Sequence, residues 1–217
     1  MPRTALIAGA TGLVGSECLR LLVASRAYDR VIVVARRPSG AASSPPKVQE
    51  IIVDFAALES VQSRLVADDV FCALGTTIRK AGSQAKFREV DFEYPKRLAE
   101  LTLAGGAKHF SLVSALGATS ASNVFYSRVK GELEDAVRAM KWPGLCLLRP
   151  SVIAGDRQES RPVERLLEHA LRFAPRKWRP VPAREIAAAM VATALQARKG
   201  LTILESAGIP PQAAQLR

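Results

Sequence analysis

Residues Thr4–Gly15 read TALIAGATGLVG: an apolar run of strand length, Thr4–Ala8, stops at a glycine and passes into Gly9-Ala10-Thr11-Gly12-Leu13-Val14-Gly15. Apolar residues then return at Leu13, Val14, Cys18, Leu21 and Leu22, the period of a helix with one buried face. Strand, tight turn and helix follow. In such a unit the first glycine permits the sharp turn and the second lets backbone N–H groups approach a pyrophosphate. The third lets the helix pack closely on the strand. The helix N-terminus then meets the phosphates with its free N–H groups and the positive end of its dipole. The plainer alternative is a purely structural turn.

Working outward, Arg30–Ala35 (RVIVVA) is a β-branched second strand that ends at Arg36-Arg37-Pro38, and Pro38–Pro46 is a loop by composition. Lys47–Val53 makes a third strand, stopping at Asp54-Phe55, and Asp69–Leu74 a fourth, stopping at Gly75-Thr76-Thr77. A helical stretch from about Gln84 to Ala104 is interrupted by Pro95. His109–Ser114 is a fifth strand, Val124–Met140 a helix, and Leu145–Leu148 a sixth strand running into Arg149-Pro150. Beyond it lie helical patterns near Val163–Phe173 and Ala183–Ala197, a short strand-like Leu201–Leu204, and Pro210–Arg217, which reads as a flexible tail.

Strands that are apolar throughout and alternate with helices predict an α/β fold of Rossmann type, a doubly wound parallel sheet covered on both faces. Such sheets bind ligands at the carboxyl ends of their strands. The reading is one NAD(P)-binding domain over residues 1–217, in which roughly 150–217 forms a small helical lobe at the substrate end.

Bulk properties are compatible. The chain has 217 residues, 48% of them hydrophobic and 24% charged, which is ordinary globular composition. No apolar run reaches the ~18 residues of a membrane span, and no secretory cleavage pattern follows Met1, so a cytoplasmic protein is expected. Cys18, Cys72 and Cys146 sit in apolar stretches without a C-x-x-C pair, which predicts buried thiols and no metal site. The net charge of +11 is spread over helix faces and loops, without a basic block or interleaved aromatics, so nucleic acid is an improbable partner. An anionic cofactor and a solvated basic surface account for the charge.

The end of the second strand selects the dinucleotide. A carboxylate there bonds the ribose 2′-hydroxyl of NAD, whereas arginine meets the 2′-phosphate of NADP. Arg36 and Arg37 therefore predict NADP(H), the alternative being two solvated loop arginines. By position, Asp54 and Phe55 are placed to meet the adenine, and Leu74-Gly75-Thr76 to pass beneath the cofactor, or they are ordinary strand ends.

Tyr126 and Lys130 lie four apart on one helix face. An ammonium beside a phenol stabilises the phenolate and suits the pair to general acid–base work. Ser114 ends the preceding strand, where its hydroxyl is placed to bond a carbonyl oxygen. Together they predict reduction of a small carbonyl substrate: a nicotinamide cofactor supplies hydride, Tyr126 the proton, Ser114 the orientation, and Lys130 both the charge and a bond to the nicotinamide ribose. Against this stands a half-buried helix tyrosine beside a solvated lysine. His109 and His169 receive no role, and Trp142, Phe173 and Trp178 either line the substrate end or, more simply, pack.

These features resemble an atypical short-chain dehydrogenase/reductase. Leu74–Ser83 (LGTTIRKAGS), Val90–Tyr94 (VDFEY), Phe125–Glu132 (FYSRVKGE) and Asp156–Pro162 (DRQESRP) are similar to the Tat-interacting-protein family of oxidoreductase-like proteins. The resemblance implies a Rossmann fold with bound NADPH, puts the Ser-Tyr-Lys set on Ser114, Tyr126 and Lys130, and places Arg149 and Arg157 near the nicotinamide or substrate end. This chain carries Asp91 where many relatives place asparagine, and it lacks a large C-terminal substrate domain. Because eukaryotic relatives are associated with transcriptional regulation and nuclear transport, the resemblance also implies a second possibility, an NADPH-binding regulatory or sensor protein with little turnover. A protein partner or a homodimer is left open.

Overall fold

The computed structural model describes residues 3–39, 46–155 and 175–216. β1 (Arg3–Ala8), α1 (Leu13–Ala24), β2 (Tyr28–Ala35) and β3 (Val48–Ile52) build one half of the sheet. The chain then crosses to the other side of β1. There β4 (Asp69–Cys72), the short helices α2 (Ile78–Ala81) and α3 (Gln84–Arg88), α4 (Tyr94–Ala104), β5 (His109–Val113), α5 (Phe125–Ala139) and β6 (Gly144–Arg149) build the second half. β7 (Ile153–Ala154), β8 (Val181–Pro182), α6 (Ala183–Leu195), β9 (Gly200–Glu205) and α7 (Ile209–Ala213) follow.

Seven strands form one sheet in the order β3-β2-β1-β4-β5-β6-β9, every pair parallel. The strand-like stretch at Leu201–Leu204 is thus the seventh strand, with Leu145 opposite Leu201 and Leu148 opposite Leu204. Since the winding reverses between β1 and β4, a crevice opens at their carboxyl ends, the place where doubly wound sheets take ligands. β7 and β8 pair separately as a small parallel sheet.

Burial on both faces explains the uniformly apolar strands. In β1, Ala5 and Ile7 face a core closed by α1 and α6, through Val14, Cys18, Leu22, Ile186 and Met190. Leu6 and Ala8 face a second core closed by α4 and α5, through Leu98, Leu101, Leu133 and Val137. All three cysteines are buried free thiols, and Trp142 packs against Phe110 with ring centroids 5.0 Å apart.

Two expectations need correction. The break in the 84–104 stretch is not at Pro95 itself. It precedes it, as a wide π turn over Glu89–Glu93 in which the Tyr94 N–H donates to the Glu89 carbonyl. Pro95 sits in the first turn of α4. A proline has no N–H, and its ring crowds the carbonyl four residues back, which is that of Asp91; a locally widened turn accommodates both effects. The C-terminal stretch is not a loose tail as far as it is described. Pro210 and Pro211 open α7, a position where proline is favoured, and Ile209 and Ala213 are buried beside α6. The Gln212 side chain also donates to the Gln196 Oε1 at 3.0 Å. A 3-10 segment over Phe55–Arg64 was not foreseen. Arg157, His169, Phe173 and the helix expected near Val163–Phe173 lie outside the described residues.

Candidate active site

The three glycines of the turn have different reasons to be glycine. Gly9 has φ +88°, and a Cβ there would lie 2.5 Å from the Ala73 carbonyl oxygen. A Cβ on Gly15 would lie 1.9 Å from the Gly9 carbonyl oxygen. Both are needed by the fold. Gly12 is not: its φ is −84°, and a Cβ would meet nothing nearer than the Gly9 oxygen at 3.4 Å, ordinary contact. The space over Gly12 is open at the N-terminus of α1, which has no side-chain cap and no acidic residue in its first turn. The first N–H groups of that helix are thus available to an anion. Ala10 and Val14 turn their side chains into the core, while Thr11 is exposed and Leu13 is half-buried with its methyls beside Gly155. The turn offers backbone to a ligand, as a pyrophosphate requires.

At the end of β2, Arg36 and Arg37 are exposed, and neither forms an ion pair among the described residues. At the end of β3, Asp54 and Phe55 make local contacts. The Asp54 carboxylate accepts from the Ala56 N–H at 3.0 Å and caps the 3-10 segment, while Phe55 is buried and stacks on Tyr94 at 5.6 Å between centroids.

The end of β4 is built around a buried ion pair. Lys130 Nζ lies 2.8 Å from Asp91 Oδ1, and the other Asp91 oxygen accepts from the Thr76 N–H at 2.8 Å. Gly75 lies against this pair: a Cβ on it would be 3.4 Å from Asp91 Oδ1 and 3.8 Å from Lys130 Nζ. Leu74, one residue back, packs against the α4–α5 core. Burial alone would push the Lys130 ammonium down, but the charge of Asp91, with Tyr126 beside it, more than offsets this and holds its pKa above the usual lysine value. Beneath them the Cys72 thiol is pushed up to about 11 by burial. Tyr126 lies one helical turn before Lys130, half-buried, with its ring 5.6 Å from that of Phe87.

One turn further along the same face is a residue the sequence reading missed. Glu134 is buried, and the Ser114 hydroxyl donates to its Oε1 at 2.6 Å. Arg149 Nε donates to the same oxygen at 2.9 Å, and Arg138 lies 3.0 Å from the other. Hydrogen bonding to Glu134 and its charge hold the Arg149 guanidinium pKa above its ordinary value. The spacing Tyr126, Lys130, Glu134 is i, i+4, i+8, so one face of α5 carries all three. That register is the signal by which Glu134 was findable. The Ser114 hydroxyl, spent as a donor on Glu134, presents its oxygen to other groups as an acceptor. The loop between β5 and α5 is pressed onto the helix at Gly131, where a Cβ would lie 2.1 Å from the Thr119 carbonyl carbon.

His109 sits at the other end of β5 from this cluster, bonded to the Ser111 hydroxyl at 2.9 Å, with its pKa pushed down to about 4 by burial and by Arg3. Among the described residues no group of three His, Cys, Asp or Glu could hold a metal ion, and no helix is long and apolar enough to cross a membrane.

An open crevice at the switch point, an uncapped helix N-terminus and a glycine that the fold does not need define a dinucleotide-binding protein. The chain belongs to the NAD(P)H-binding family, whose model matches residues 9–196. Within it, the chain is 38% identical over 178 residues to Protein HTATIP2 of Rattus norvegicus, covering 81% of this chain and 73% of that protein. It is 37% identical over 169 residues to the protein named fmp52, mitochondrial, of Emericella nidulans, covering 76% and 72%. It therefore belongs to the group of NAD(P)H-binding proteins that includes these two. In fold it is similar to an oxidoreductase of the short-chain dehydrogenase/reductase family from Burkholderia thailandensis, with TM-score 0.77 and 19% identity over 96% of this chain and 93% of that one. It is also similar to MoeE5, solved in complex with UDP-glucose and NAD, with TM-score 0.71 and 19% identity over 93% and 75%.

Proposed function

We propose that this chain is an NADPH-dependent oxidoreductase that reduces a small carbonyl compound. The observation that carries the reading is the open space over Gly12, at an uncapped helix N-terminus, in the same crevice as the Lys130–Asp91 pair. The backbone of Gly9–Gly15 would hold the pyrophosphate, Arg36 and Arg37 the 2′-phosphate, and Leu74–Thr76 with Lys130 the nicotinamide ribose. When bound, NADPH supplies a hydride to the carbonyl carbon.

The rest of the chemistry belongs to the protein. Tyr126 gives its phenolic proton to the carbonyl oxygen, completing the alcohol, and Lys130 stabilises the phenolate left behind. Ser114, oriented by Glu134, accepts a hydrogen bond from the Tyr126 hydroxyl or from the alcohol formed. We assign the substrate end to the stretch that follows β6, with Arg149 just before it and Arg157 in it, while α6 and β9 serve the main sheet. Three free thiols suit a reducing compartment, and we place the protein in the cytosol.

A second reading, an NADPH-binding sensor with little turnover, is favoured by one observation: the Ser114 hydroxyl is already committed to Glu134 and does not point a proton at a substrate. NADPH oxidation followed at 340 nm across a panel of aldehydes and ketones separates the two. The enzyme reading expects steady turnover that Tyr126→Phe abolishes while NADPH affinity stays within about twofold. Tight NADPH binding with no turnover on any carbonyl establishes the sensor and overturns the enzyme.

A further inference from the structure

The π turn before α4 contributes a residue for which the reading above has no task. Asp91 is fully buried, and each of its oxygens is engaged by a different element: one by Lys130 of α5, the other by the backbone of Thr76 after β4. We propose that Asp91 is a positioning residue that keeps Lys130 charged and fixed at the floor of the crevice, so that cofactor grip and proton transfer both run through one carboxylate. This rests on the assignment of Tyr126 and Lys130 as the acid–base pair of a dinucleotide enzyme.

A lysine ammonium taken wholly out of water gives up its proton unless a counter-charge meets it. Lys130 is 4% exposed, and among the described residues its ion-pair partner is Asp91. The groups that face this ammonium are Asp91 from the π turn, Tyr126 from its own helix and the Cys72 thiol from β4. Asp91 supplies the negative charge among them. An ammonium has three donors and the ion pair with Asp91 takes at most one of them, which leaves two for a ribose hydroxyl and for the Tyr126 oxygen. The carboxylate also holds the Thr76 N–H, which fixes the height of the Gly75 backbone beside the pair.

The position of Asp91 follows from the wide turn. Pro95 four residues on cannot donate to the Asp91 carbonyl, and the turn that accommodates this swings the Asp91 side chain inward between β4 and α5.

The test is a pH titration of the whole, cofactor-free protein labelled with 13C at lysine Cε, in which the Lys130 resonance is assigned by its loss in Lys130→Met. In wild type the ammonium signal should persist above the pH at which an ordinary lysine gives up its proton. In Asp91→Asn it should give way at least ~2 pH units lower, and Asp91→Glu should restore most of the shift. An Asp91→Asn protein that is folded, with the Lys130 step within about half a unit of wild type, overturns the inference. Should Asp91→Asn fail to fold, the double variant Asp91→Asn/Lys130→Met, which removes both charges, should fold. If it does not fold either, the pair is not the reason and the inference falls.

A parallel NADPH titration by fluorescence at pH 7 and pH 9 gives the functional arm. Asp91→Asn should lose at least about fivefold more affinity across that interval than wild type. Failure of wild type to bind NADPH contradicts the proposed function. Normal NADPH binding together with an unmoved Lys130 step contradicts the Asp91 inference alone.

Discussion

Around the crevice, the ends of β1 and β2 present backbone N–H groups and exposed guanidiniums, and at the end of β3 the exposed Asp54 caps its own turn. The ends of β4, β5 and β6 are tied instead by buried charges, Asp91 with Lys130 and Glu134 with Ser114, Arg138 and Arg149. The contrast matches what each half would do. Phosphates bring their own charge and need donors that stay wet until they arrive, so glycine and surface arginine suffice. Proton transfer needs groups at fixed positions with defined charge, which demands burial and counter-ions. Stability and ligand affinity should therefore separate: substitutions among the buried charges should cost stability, and substitutions of Arg36, Arg37 or Gly12 at the open end should cost binding alone.

The largest effect should come from Glu134→Ala, which strands the Arg149 guanidinium and leaves the Ser114 hydroxyl without its acceptor. Removing one partner from a buried charge cluster costs about 3–5 kcal/mol, readable as a large fall in Tm by calorimetry. A change below ~1 kcal/mol would erase the distinction between the two sides.

The amino ends of the strands supply a control independent of the crevice. Burial, with Arg3 nearby, takes His109 from its usual 6.5 to about 4 in the folded state. Between these values the unfolded chain binds the extra proton, so stability is full above about pH 6.5 and declines as pH falls toward about 4, by roughly 3 kcal/mol. Denaturation by urea at a series of pH values should show this slope, and His109→Gln should flatten it.

Next come the glycines, which test the same contrast within a single turn. Gly15→Ala forces a Cβ into the Gly9 carbonyl and should destabilise by about 1–3 kcal/mol. Gly12→Ala has room, so its stability should stay within about 1 kcal/mol while NADPH affinity falls at least ~10-fold. Equal losses of stability at the two positions would show that the open space over Gly12 is not a ligand's.

How far the sequence foretold the molecule follows from which interactions are local. The β1–turn–α1 unit was legible because strand length, glycine spacing and helical period all lie within about twenty residues. Tyr126 and Lys130 were legible for the same reason, being one turn apart. The partners of Ser114 and Arg149 were not, because Glu134 lies twenty and fifteen residues from them, and a glutamate in a charged helix looks like a solvated one until the sheet is laid against it. The pairing of Asp91 with Lys130 was hidden by the π turn, which shifts the register that an unbroken helix predicts. Paired prolines at 210 and 211 suggested an end to structure, yet they open a short helix that packs on α6.

The most direct test of the account is a fluorescence titration of NADPH and NADH against wild type and Arg36→Ser/Arg37→Ser. Wild type should bind NADPH at least ~10-fold more tightly than NADH, about 1.4 kcal/mol, and the double variant should bind both alike with Tm changed little, since exposed substitutions usually stay within about 0.5 kcal/mol each. Equal affinities for the two cofactors in wild type, or a preference that survives loss of both arginines, would contradict it.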